Sequence, residues 1–152
     1  MKVFRISREK YATPLSGEGA AKYGARWNPV GIGLIYTVQN RSLAMAEVVV
    51  HPTLATLPDN YMILTIDTPD DLKIKQLTET DLPEDWQEFP HPFSTQDIGR
   101  KFVPEYEFCV LIIPSVVTQG DYNVLTNPNH IDFSKIKITS MDKFPFDKRI
   151  FN

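Results

Sequence analysis

Proline interrupts this chain twelve times in 152 residues, mostly between apolar runs. Its ring fixes φ and removes an amide donor, so neither a long helix nor a long central strand survives such spacing. What remains is a series of short elements. "KVFRIS", "LIYTV", "YMILTID", "LKIKQL", "FCVLIIP", "YNVLT" and "IKITS" read as strands, with "FCVLIIP", the most apolar, expected near the centre of a sheet. Residues 8 to 33 form a long glycine-containing connection with a helical turn near "GAAKYG". "NRSLAMAEVVVH" reads as a helix, capped by Asn40 or Ser42 and stopped by Pro52. "TQDIGRKFV" reads as a second helix, weakened by Gly99, and "FPFDKRIF" closes the chain. Strands outnumber helices and do not alternate with them, which predicts an α+β fold with a mixed sheet and few helices. No repeat, low-complexity tract or linker divides the sequence, so residues 1–152 are read as a single domain.

The formal net charge is -3, and no lysine- and arginine-rich run exists beyond the alternating "KIKIT" at Lys135 and Lys137. A protein that tracks phosphate backbones needs a basic stripe, so direct nucleic-acid binding and a ribonuclease-like activity are disfavoured. The single cysteine, Cys109, sits in "EFCVLIIP" and reads as a small buried hydrophobe. It excludes an internal disulfide and a thiolate zinc cluster. No signal-peptide core opens "MKVFRISREK", and no window approaches the roughly 18 apolar residues of a membrane span. A cytoplasmic protein without membrane contact is expected.

Glu47 is the residue that least suits its surroundings. Leu43, Ala44, Met45 and Ala46 precede it and Val48, Val49 and Val50 follow. A helix apolar on all sides is normally buried, and a carboxylate within it needs a partner or a proton. It reads either as a helix-edge residue reaching water or as a carboxylate lining a cleft. Arg26, in "GARWN", is the natural cation opposite it, because a planar, permanently charged guanidinium suits phosphate or carboxylate. The alternative for Arg26 is a structural stack on Trp27, itself a core or rim aromatic. Asn28-Pro29 reads as turn chemistry. Tyr36 lies mid-strand, its ring suited to the core and its hydroxyl free to reach a cleft. "GIGLIY" lacks the third glycine and the following helix of a dinucleotide loop. His51, His91 and His130 match no metal spacing. Ser115, after "VLIIP", is either a strand-ending turn residue or a ligand hydrogen bond. The acidic stretch "TETDLPEDWQEFPHP" reads as a solvated loop or short helix.

The run "GEGAAKYGARWNPVGIGLIYTVQNRSLAMAEVVVH", followed by "VLIIPSVV", "DYNVLTNPNHIDF" and "FPFDKRI", resembles the RES-domain family, the toxins of RES–Xre toxin–antitoxin pairs. The likeness covers nearly the whole chain in order. It departs at Ala25, where the family usually has a second glycine, a replacement that strains the loop if that position needs positive φ. The resemblance implies an ADP-ribosyltransferase-like α+β fold that splits the nicotinamide–ribose bond of NAD, with NAD as substrate and no cofactor. It also implies transfer of ADP-ribose to phosphate or protein in some members, and an Xre-type antitoxin partner. Carried onto this sequence, the family's named trio falls on Arg26, Glu47 and Ser115. Tyr36 and Arg5 fall at cleft positions, and Trp27 and Asn127 are further candidates for substrate contact. The sequence leaves open a homodimer, and it leaves open a non-enzymatic binding module in which Arg26 and Glu47 form a structural ion pair.

Overall fold

The computed structural model describes residues 1–51 and 59–151. Its framework is one seven-stranded sheet. In chain order the strands are β1 (Lys2–Arg8), β2 (Ile35–Val38), β3 (Tyr61–Asp67), β4 (Ile74–Gln76), β5 (Val110–Pro114), β6 (Tyr122–Thr126) and β7 (Lys137–Lys143). The helices are α1 (Glu9–Ala12), α2 (Glu18–Tyr23), α3 (Arg41–Val49) and α4 (Phe93–Glu105). The sheet order is β4-β5-β6-β2-β1-β3-β7, and only the β4–β5 pair is parallel. The α+β expectation holds, as does each expected strand.

The "FCVLIIP" strand is not central. β5 lies next to the edge strand β4, and the middle strand is β2. Its apolarity has another cause: both of its faces are covered. Cys109 and Val110 pack into a cluster with Val3, Leu64 and Val124. Leu111 and Ile113 point the other way, into a cluster with Trp27, Leu34, Trp86, Phe102 and Leu125. Period-two alternation between two buried faces yields a continuous apolar run. Burial also pushes the Cys109 thiol up to about 11, so it stays protonated as a core residue.

Helix α3 starts where expected, with the Asn40 side chain accepting from the Leu43 amide. The expected stop at Pro52 lies outside the described residues. The helix is not buried all round: Leu43 and Ala44 are buried, while Met45 to Val49 are half-exposed. Part of that apolar surface faces a cleft. Helix α4 contains Gly99 for a packing reason. A Cβ at that position would lie 1.9 Å from the carbonyl oxygen of Trp27, so the glycine lets α4 close directly on the Trp27 backbone.

The sheet has one discontinuity. β1 pairs with β3 over seven residues, but with β2 only at Phe4↔Val38. Continuing that antiparallel register would place Arg5 opposite Thr37 and Ile6 opposite Tyr36, and those pairs do not form. The two strands therefore splay apart from Arg5 onward.

Candidate active site

A cleft of about 470 Å³ fills this split. Its walls are β1 (Phe4 to Arg8), β2 (Tyr36, Thr37, Val38) and α3 (Ala44, Glu47, Val48), with Tyr11, His51, Tyr61 and Asn123 completing the lining. The structure thus brings Arg5, Tyr36 and Glu47 together from three elements, and their placement follows from local pattern. Arg5 lies where β1 has lost its β2 partner. Glu47 lies one turn after Ala44 on the inward face of α3.

Glu47 is half-buried, and its Oε1 accepts from Asn123 Nδ2 at 2.9 Å. Burial raises its pKa above the ordinary carboxylate value, while the Asn123 hydrogen bond and the Arg26 charge pull in the opposite direction. Burial likewise pushes the Arg5 guanidinium below its usual value. Among the described residues no side chain or backbone group hydrogen-bonds or ion-pairs with the Arg5 side chain. An unpaired, partly desolvated guanidinium in a cleft is prepared for an anionic group, because the protein leaves its donors unfilled.

Arg26 stands beside the cleft. Its Nη1 donates to the carbonyl oxygens of Trp86 (2.9 Å) and Glu88 (2.7 Å). No ion pair joins it to Glu47, which corrects the structural-pair alternative: the guanidinium is held by backbone carbonyls some sixty residues away in sequence. Burial lowers its pKa, opposed by the charges of Glu47 and Tyr36. The acidic stretch is accordingly more than a solvated face. Trp86 is buried and stacks on Trp27 with ring centroids 6.5 Å apart, and the carbonyls of that stretch anchor Arg26.

The Tyr36 ring lines the cleft, but its hydroxyl is committed elsewhere, contrary to expectation. It accepts from the Trp27 amide at 3.1 Å and donates to Asn28 Oδ1 at 2.7 Å. Asn28 is fully buried, and its Nδ2 donates to the carbonyls of Ala20, Pro29 and Ile32. This one amide closes the loop that carries Arg26 and fastens it to β2. Gly24 adopts φ +70 at the base of that loop, whereas Ala25 does not, so the departure from the family's usual glycine strains nothing. Tyr36→Phe keeps the ring but strips two buried groups of their partner. It is expected to lower unfolding free energy by about 1–3 kcal/mol, measured by denaturant titration.

A family model described as the RES domain matches residues 2–148. The chain belongs to the RES domain family. It is 33% identical over 146 residues to the "Prs ADP-ribosylating toxin" of Sphingobium sp. (strain YBL2), covering 95% of this chain and 91% of that protein. It is also 33% identical over 153 residues to a "Toxin Res" of Yersinia enterocolitica, covering 99% of each. In fold it is similar to a chain of the crystal structure of the M. tuberculosis MbcT–MbcA toxin–antitoxin complex. That likeness has a TM-score of 0.76, 20% identity, and coverage of 95% of this chain and 84% of that one.

Besides Arg26, three candidate residues of this RES chain lie outside the cleft lining. Trp27 is 2% exposed and packed in the core against Trp86. Ser115 is buried at the end of β5, where its Oγ accepts from the amides of Val117 and Thr118, the geometry of a strand-ending turn. Asn127 is buried, donating to the Val103 carbonyl and accepting from the Asn129 amide. Two residues escaped the sequence reading. Asn123 passes unremarked within the strand "YNVLT", and Asn28 reads only as turn chemistry. A buried-strand asparagine is itself a signal, since an amide there requires a partner. Among the described residues, no helix is long and apolar enough to cross a membrane and no cluster of metal-ligating side chains occurs.

Proposed function

We propose that this chain is the toxin of a toxin–antitoxin pair and that it splits the nicotinamide–ribose bond of NAD. The observation that carries the reading is the half-buried Glu47 carboxylate in the β1–β2 split, a cleft that the unpartnered Arg5 guanidinium also lines. Heterolysis of the C1′–N bond sends the bonding pair to the pyridinium ring, which leaves as neutral nicotinamide. Positive charge then develops on the ribose. A nearby carboxylate stabilises that charge more in the transition state than in the ground state, and this difference accelerates the step. Glycosidases set carboxylates against a similar transition state. Water then adds to C1′ and loses a proton, giving ADP-ribose. Arg5 offers a site for the pyrophosphate, and Arg26 adds positive potential at the rim. The Tyr36 ring supplies an apolar wall against nicotinamide or the adjacent ribose.

A second reading keeps the bond-breaking step and changes the acceptor. The Sphingobium relative is named as an ADP-ribosylating toxin, so a protein side chain competes with water. Phosphate is a third acceptor. We assign the chain to the cytoplasm, with an Xre-type antitoxin as its partner, on the strength of family membership and of the toxin–antitoxin complex that contains the similar fold.

Purified protein incubated with NAD is expected to release nicotinamide and ADP-ribose in buffer alone. Release that requires phosphate or added protein would assign the acceptor. Intact NAD under all three conditions would overturn the proposal. Glu47 acts ionised, and its pKa is raised by burial. The acid limb of kcat/KM is therefore expected above the ordinary carboxylate range, with activity lost as pH falls through that value, measured from about pH 4 to 8.

A further inference from the structure

Strand β6 carries a polar side chain where its neighbours are apolar. Asn123 is 6% exposed and precedes the buried Val124 and Leu125. Its backbone lies between two strands, opposite Val38 on β2 and Ile113 on β5. A buried amide is unfavourable unless it hydrogen-bonds, and this one crosses to another element to do so. Nδ2 donates to Glu47 Oε1 at 2.9 Å, across 76 residues of sequence. Among the described residues no other group donates to that carboxylate, and Oε2 has no partner. Asn123 and Glu47 both line the cleft.

We infer that Asn123 is a positioning residue for Glu47: from β6 it fixes one carboxylate oxygen and leaves the other open to the cleft. Glutamate has several rotatable bonds, and α3 alone would let its carboxylate sweep over the helix surface. A second anchor on the sheet confines it. Because the anchor is an N–H donor, it also favours the ionised form. The charged and titratable groups around Glu47 are Arg5 and Arg8 of β1, Tyr11, Arg26, Tyr36 of β2, His51 after α3, and Tyr61 of β3. Their fields remain when Asn123 is replaced, so the variant isolates the hydrogen bond.

The inference rests on the proposed function only for its rate arm. The test uses full-length protein labelled with ¹³C at glutamate carboxyls, with the Glu47 signal assigned by its absence in Glu47→Gln. In the wild type the Asn123 side-chain amide is expected to shift with the Glu47 midpoint, and to lose that pH dependence in Glu47→Gln. In Asn123→Ala the Glu47 midpoint is expected to rise by about one pH unit or more. In the nearly isosteric Asn123→Asp it rises as well, because a second carboxyl replaces the donor. The acid limb of NAD cleavage should move up in step, whereas a packing defect would lower the rate equally at every pH. An Asn123 amide that ignores Glu47 in the wild type, or an unmoved midpoint in a folded variant, overturns the inference. A moved midpoint in a protein that leaves NAD intact overturns the proposed function and leaves the positioning role standing.

Discussion

Glu47→Gln is expected to lower kcat for NAD cleavage by at least about 100-fold while leaving the fold intact. Glutamine fills the same space and can still accept from Asn123 through its carbonyl. It lacks only the charge that opposes the developing cation. The stability of the variant carries a separate sign. Burial raises the Glu47 pKa, so its contribution to stability is fully present at low pH and is lost as pH rises through the raised value. Glutamine undergoes no such loss. The Tm of the variant relative to the wild type is therefore expected to increase between about pH 4 and pH 7. Thermal melts across that range and single-turnover NAD assays measure the two effects independently. A loss of about 1–3 kcal/mol or more at pH 7 with turnover retained would instead mark Glu47 as a structural partner of Asn123.

Gly99→Ala is expected to give the largest loss of stability of any single-methyl addition in α4. Intrinsic propensity gives the opposite sign, since alanine stabilises a helix interior by about 1 kcal/mol relative to glycine. Sterics decide the outcome. The added methyl would lie 1.9 Å from Trp27 O and 3.0 Å from Trp27 C, and backbone has no rotamer by which to yield. Overpacking in cores costs about 1–3 kcal/mol, and a backbone clash falls at or beyond the upper end. For a chain of this length that is a fall in Tm of about 6–12 °C, read by circular dichroism. The effect reaches the site as well. The Trp27 amide binds the Tyr36 hydroxyl, and the neighbouring Arg26 is pinned to the carbonyls of Trp86 and Glu88. Displacing this loop should reduce NAD cleavage while the pH profile keeps its position. A change in Tm under about 2 °C would show that α4 and the loop separate freely.

These two residues show what can be read from sequence. Glu47 announces itself, because a carboxylate among seven apolar residues violates the helix pattern around it. The strands are equally legible, since each is a short apolar run bounded by turn residues. The split between β1 and β2 is not, because "KVFRIS" alternates in the same way whether its second edge is paired or open. Gly99 looked like a weak point in a helix because propensity is local, whereas the Trp27 carbonyl arrives from 72 residues away. Arg26, Ser115 and Asn127 carry the chemistry expected of ligand contacts, yet each binds atoms of its own chain. Hydrogen-bond capacity is visible in a residue type, but whether the fold has already consumed it is set by tertiary neighbours. Asn123 is the converse case, an unremarked amide whose partner lies on a distant helix.

The most direct measurement is a crystal structure of the Glu47→Gln chain with intact NAD. The nicotinamide-bearing ribose is expected in the opening between β1 and β2, its anomeric carbon about 3–3.5 Å from the residue 47 side chain and its pyrophosphate against Arg5. NAD bound on another face, or seated in the cleft with that carbon facing away from residue 47, would contradict the account.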